Sequence, residues 1–139
     1  MLKDNLFYSG LIFAYGQDSW NNETFKLNVD DGILTSYEIS QMNLHDTNLV
    51  VLSACETGVG DRDFDGIVGL QRAFKMAGVK TIIMSLWKVD DEATALMMTT
   101  FYKELLRTGS KHEAFVYAQK VVKQKYEDPY FWASFIMLD

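Results

Sequence analysis

The sequence predicts an α/β domain built on a mostly parallel sheet flanked by helices. Three observations carry this expectation. Asn48–Ala54 and the run "KTIIMSLW" are apolar on both parities and rich in β-branched residues, the composition of strands covered on both faces. The segments between and after them hold apolar residues at helical spacing. The resulting order is strand, helix, strand, helix, helix, strand, the alternation from which parallel sheets are built.

Taken in order, Leu6–Ala14, "LFYSGLIFA", is an apolar, aromatic run expected as a strand. "YGQDSWNNETFKLNVDDG" is polar and rich in turn residues, and reads as a loop or an irregular hairpin arm. In "DGILTSYEISQM", Thr35 precedes Glu38 by three positions, a capping box that starts a short helix. The strand Asn48–Ala54 then runs into Cys55 and breaks at "ETGVGD". Ile67, Leu70, Ala73, Phe74 and Ala77 recur at helical spacing, with Asp65 or Gly66 near the start and Gly78 as the stop. After "KTIIMSLW", Asp90 or Asp91 caps a helix whose inner face is Ala93, Leu96, Met97, Thr100, Phe101 and Leu105, ending at Gly109. Ser110 and Glu113 form a second capping box, and Phe115, Ala118, Val121 and Val122 continue the apolar face. Pro129 halts that helix before "YFWASFIML", a final strand.

The 139 residues suit one domain or a large part of one, and 48% hydrophobic content with a single proline supports a packed core. A formal charge of -6 argues against nucleic acid or an anionic membrane as partner, because phosphates repel a net-acidic surface. One cysteine cannot form an internal disulfide, which fits a reducing, cytoplasmic location. No apolar segment approaches the ~20 residues of a membrane helix, and the first residues lack a basic-then-apolar leader. No cofactor is expected.

The loop around Cys55 admits four readings. A buried structural cysteine is the commonest use of the residue, but the loop formers Glu56, Thr57 and Gly58 set this one where a sheet meets solvent. A phosphate cradle would use Gly58 and Gly60, yet the third glycine position falls on Asp63, and no Walker lysine–serine pair follows. Asp61, Asp63, Asp65 and Gly66 reproduce the first half of a calcium-binding EF-hand loop. The twelfth position, which should be a bidentate Glu, is Arg72, so no EF-hand site is expected there; the aspartates read as turn and helix-start acids, with a calcium site of another geometry left as the alternative. The fourth reading is a nucleophile, a thiol at a strand end whose pKa a following helix start can lower. A nucleophile needs a base. His45 precedes the strand and would sit about 20 Å from its far end, at ~3.3 Å per residue. His112 falls in the first turn of a helix, where a solvated residue is the default.

Four segments agree in order and spacing with one family. "LVVLSACETGVGD", "GIVGLQRAFKMAGVKTIIMSLWKVDDEAT", "FYKELL" and "DPYFWASFIML" together resemble the C-terminal part of a CHAT domain. Such domains are caspase-like cysteine peptidases, related to separase within the caspase–hemoglobinase group. The resemblance implies that residues 1–139 are the C-terminal portion of an incomplete caspase-like sheet, with Cys55 at the nucleophile position and a protein or peptide as substrate. It also implies that Ser85, Trp87 and Asp91 contribute to the pocket for the residue before the scissile bond. An acidic group there would suit a basic substrate side chain.

The sequence departs from the family in its base, and the early strands of the family's sheet would be missing as well. The family's base is a histidine followed by glycine, and no His-Gly pair occurs here. That glycine's amide also helps to bind the oxyanion, so two contributions are missing, each worth a factor of at least ~100 in rate. The chain alone is therefore expected to be inactive, with its histidine supplied by residues upstream, where a helical-repeat regulatory region is also expected. The alternative is a non-catalytic interaction or scaffold module in which Cys55 is structural. Either way, an open sheet edge would favour homo-oligomers.

Overall fold

The structure is a computed structural model that describes residues 9–14, 16, 32–53 and 63–139, with backbone alone at 63–65. The described residues fall into two compact units, one within 1–48 and 56–80, the other within 49–55 and 81–139.

In the first unit, strand β1 (Gly10–Ile12) pairs antiparallel with β2 (Ile33–Thr35). Only the last part of the expected Leu6–Ala14 strand is described, and only Gly10–Ile12 is extended in a ladder. The polar stretch that follows lies almost wholly outside the described residues. Strand β2 was not anticipated, because a three-residue strand is too short to show a period. Thr35 then caps helix α1 (Ser36–Gln41) through the expected capping box: its Oγ1 accepts from the Glu38 amide at 3.2 Å, and Glu38 accepts from the Thr35 amide at 2.8 Å. The buried hydroxyls of Ser9 and Ser36, 2.8 Å apart, tie β1 to this helix start. Helix α2 (Asp63–Met76) packs on α1 and buries Ile67, Leu70, Ala73 and Phe74, the predicted face. The helix begins at Asp63, ahead of where the sequence set the start, so Asp65 and Gly66 lie inside its first turn, an end of the helix dipole that acidic residues favour. The stop is as expected, with Gly78 at φ +102°, a conformation L side chains rarely adopt. Lys75 Nζ donates to the Lys80 carbonyl at 2.8 Å and closes the turn.

The second unit holds a three-stranded sheet in the order β3–β4–β5: β3 (Leu49–Leu52), β4 (Thr81–Ser85) and β5 (Phe135–Leu138). Strands β3 and β4 are parallel, with Leu49 opposite Thr81 and Leu52 opposite Met84. Strands β4 and β5 are antiparallel, with Ser85 opposite Phe135. The expectation of a mostly parallel sheet therefore holds for one of these two pairings. The reason is topological. Among the described residues, one helix separates the parallel strands β3 and β4, whereas the connection from β4 to β5 runs through two long helices and a short one and brings the chain back antiparallel. β4, in the middle, is buried at every residue; β3, at the edge, is half-buried throughout and not covered on both faces as predicted.

Those two helices are α3 (Asp91–Thr108) and α4 (Lys111–Lys125). Ala93, Met97 and Phe101 recur every four residues on α3 and are fully buried; Ala114, Phe115, Ala118 and Val122 answer them from α4. They share one core with Ile83 and Phe135, flanked by Leu49, Val51 and Met137, so the odd-numbered residues of all three strands face this hairpin. Burying each large side chain contributes about 1.5–3 kcal/mol. Gly109, at φ +70°, ends α3, and Ser110 opens α4 by accepting from the Glu113 amide at 3.3 Å.

Pro129 does not merely halt α4, which already ends at Lys125. It stands at the first position of a short helix, α5 (Pro129–Trp132), where a missing amide proton costs nothing. Asp128 caps α5, accepting from the Tyr130 amide at 2.9 Å. The final strand is therefore four residues long, shorter than the predicted "YFWASFIML". Among the described residues, no helix is long and apolar enough to cross a membrane.

Candidate functional site at the carboxyl edge of the sheet

Parallel pairing gives β3 and β4 a common carboxyl edge, where ligands of open α/β sheets gather. Cys55 lies three residues beyond the end of β3 and outside the described residues, as do Glu56, Thr57, Gly58, Gly60 and Asp61. What the structure describes is the segment that leaves the same edge from β4, residues 85–91.

Ser85 closes β4 with its side chain buried. Leu86 continues the ladder, its amide donating to the Ser134 carbonyl at 2.8 Å. Trp87 then turns outward, 36% exposed, with its Nε1–H donating to the Tyr130 carbonyl at 3.0 Å. The Trp87 and Tyr130 rings stack at 29°, centroids 6.3 Å apart, and the Tyr130 hydroxyl donates to the Lys88 carbonyl. Val89 is buried in the hairpin core and anchors the other end of the segment.

Asp90, not Asp91, is the cap of α3. Its Oδ2 accepts from the amides of Glu92 and Ala93 at 3.0 and 3.2 Å. Asp91 is left exposed at the first helical position, where a carboxylate sits favourably at the positive end of the helix. The predicted pocket residues therefore differ in availability. Trp87 and Asp91 reach solvent at this edge, while Ser85 is enclosed two residues earlier. Tyr130 escaped the sequence reading; "DP" ahead of an aromatic run was the available signal, since an Asp cap followed by an N1 proline marks a helix start.

Both histidines are exposed. His45 lies exposed in the turn ahead of β3, its imidazole against Gly78, where an added Cβ would stand 2.3 Å from Nδ1. His112 is exposed in the first turn of α4. The calcium reading also loses ground: Asp63 and Asp65 are helical, whereas an EF-hand needs them in a loop. Among the described residues, no cluster of His, Cys, Asp and Glu could hold a metal ion.

The described part of this edge presents an exposed indole, Trp87, and an exposed carboxylate, Asp91, on the segment that follows β4. The chain is 32% identical over 108 residues to tetratricopeptide repeat protein 28 of Mus musculus and 31% identical to its counterpart in Homo sapiens. The match spans 76% of this chain and only 4% of either relative. No solved structure matches. A family model described as the CHAT domain matches residues 3–139, and with nearly its whole length covered the chain belongs to the CHAT domain family.

Proposed function

We propose that this chain forms the thiol-bearing, C-terminal portion of a caspase-like cysteine peptidase domain. The single observation that carries the reading is the shared carboxyl edge of β3 and β4, in a chain that matches the CHAT family over residues 3–139. In sequence, Cys55 comes after one strand of that edge, while Ser85 ends the other and Trp87 and Asp91 come after it.

In the proposed reaction the Cys55 thiolate attacks the carbonyl carbon of the scissile peptide bond. A histidine from residues other than these takes the thiol proton and returns it to the leaving amine. The carbon–nitrogen bond breaks to leave a thioester at Cys55, and water then releases the carboxylate product. Trp87 packs on the side chain of the substrate residue before the scissile bond, Asp91 attracts it when it is basic, and Ser85 closes the pocket floor. The tetratricopeptide-repeat name of the relatives supports helical repeats elsewhere in the full-length protein as the source of a regulatory signal.

The absence of a His-Gly pair, together with the positions of His45 and His112, favours a second reading: an interaction module with a structural cysteine. Alkylation separates the two. In the first, iodoacetamide modifies Cys55 in the folded chain, with a pH–rate midpoint below the ~8.5 of a free cysteine. In the second, Cys55 reacts only after unfolding, and that outcome would overturn the peptidase proposal.

A further inference from the structure

Trp87 is held more firmly than an exposed loop tryptophan needs to be. Its N–H is engaged by the Tyr130 carbonyl, one face of its ring lies toward the Tyr130 ring, and the same tyrosine's hydroxyl fastens the next residue at its carbonyl. Tyr130 is in turn braced by two neighbours, one of them itself stacked on a third residue. Asp128 caps its amide, Phe131 meets its ring edge-on at 5.5 Å, and Phe131 stacks on Tyr126 with centroids 4.7 Å apart. Gln119 of α4 secures the turn beyond, its Nε2 donating to the carbonyls of Trp132 and Phe135 at 3.1 and 3.0 Å. The indole is thus tied, through α5, to the helical hairpin that forms the core of its unit.

A side chain with two free torsions must be ordered when a ligand binds, and that ordering opposes affinity. An indole already fixed by a hydrogen bond and a ring contact escapes the cost. We propose that Tyr130 is a positioning residue for substrate binding. It fixes the orientation of Trp87 so that the remaining open face of the indole meets the side chain before the scissile bond. This rests on the peptidase reading of the site. Tyr130 touches no reacting atom; its effect is on binding and not on the chemical step.

The test uses this chain with Cys55→Ala, so that peptides bind without turnover, and with 5-fluorotryptophan incorporated; Trp87→Phe assigns the Trp87 fluorine resonance. An arginine-containing peptide amide is titrated in. Tyr130→Leu keeps apolar cover and the backbone carbonyl but removes the ring stack and the hydroxyl. It should move the Trp87 resonance toward that of a free indole and weaken peptide binding ~10-fold, equal to ~1.4 kcal/mol. Tyr130→Phe, which keeps the stack and loses only the bond to Lys88, should retain most of the affinity. A Trp87 resonance and a peptide affinity both unchanged in Tyr130→Leu would overturn this inference alone. Failure of the Tyr130-intact chain to bind any basic peptide would overturn the peptidase reading, and with it the substrate role of Tyr130.

Discussion

Substituting Gly78 by alanine destabilises the first unit through two effects that the structure separates. The first is conformational. Gly78 sits at φ +102°, and holding a residue with a Cβ in such a region costs about 1–3 kcal/mol. The second is steric. The new Cβ would stand 2.3 Å from His45 Nδ1 and 2.8 Å from Cγ and Cε1, far inside van der Waals contact. His45 is exposed in a turn, so its ring swings aside while the backbone stays in place. It then forfeits a few contacts of ~0.1–0.2 kcal/mol each, or about 0.5 kcal/mol in all. The expected total is about 1.5–3.5 kcal/mol, read from urea denaturation as a lowered midpoint with unchanged slope. In His45→Ala the substitution should cost about 0.5 kcal/mol less, because the steric part has gone and the backbone part remains. Gly78→Ala with wild-type stability would refute the reasoning. The same packing makes His45 a structural residue, so His45→Ala should leave the alkylation rate of Cys55 unaltered at every pH.

Other consequences follow from the second unit. Phe101 is fully buried at the centre of the hairpin core, so Phe101→Ala should cost about 3–5 kcal/mol in chemical denaturation. Asp90→Ala removes the acceptor of two amides and should cost about 1 kcal/mol. Asp91→Asn, one position on, should barely move stability while reducing the preference for arginine over glutamine peptides a few-fold in a binding titration, since an exposed charge contributes up to ~1 kcal/mol. The Arg107 guanidinium, hydrogen-bonded to Glu104, holds that carboxyl below its usual value of 4.5. A folded-state value below the unfolded one stabilises the fold above that range, and the contribution fades as pH falls through the depressed value. Glu104→Gln should therefore lower Tm slightly near neutrality, and the difference should close in acid; a gap that persists in acid would contradict the assignment.

Much of this architecture was legible in the chain, and the exceptions share a cause. Residues whose behaviour is set within one turn read correctly. Thr35 with Glu38, Ser110, and the glycines at 78 and 109 all do locally what their chemistry favours. Long apolar periods also read correctly, as Ala93, Met97 and Phe101 show. Properties set by partners distant in sequence did not. The half-burial of β3 follows from its edge position among the described strands, and the direction of β5 from the path of the helical connection before it; neither is encoded in the strand's own residues. At the site, Trp87 and Asp91 were named from a family resemblance. The choice between Asp90 and Asp91 as cap required geometry, because both can accept from the first amides. Tyr130 was missed because its partners lie 43 and 42 residues away, at Trp87 and Lys88.

Whether the lone sulfur is a working nucleophile is tested most directly by covalent capture. The folded chain is exposed to a short peptide bearing a basic residue next to a thiol-reactive ketone, and the product is mapped by mass spectrometry. The account predicts a single adduct at Cys55, formed faster than with an otherwise identical neutral peptide and slowed by Trp87→Ala. An adduct that appears only once the protein is unfolded, or forms at the same rate with both peptides, would contradict it.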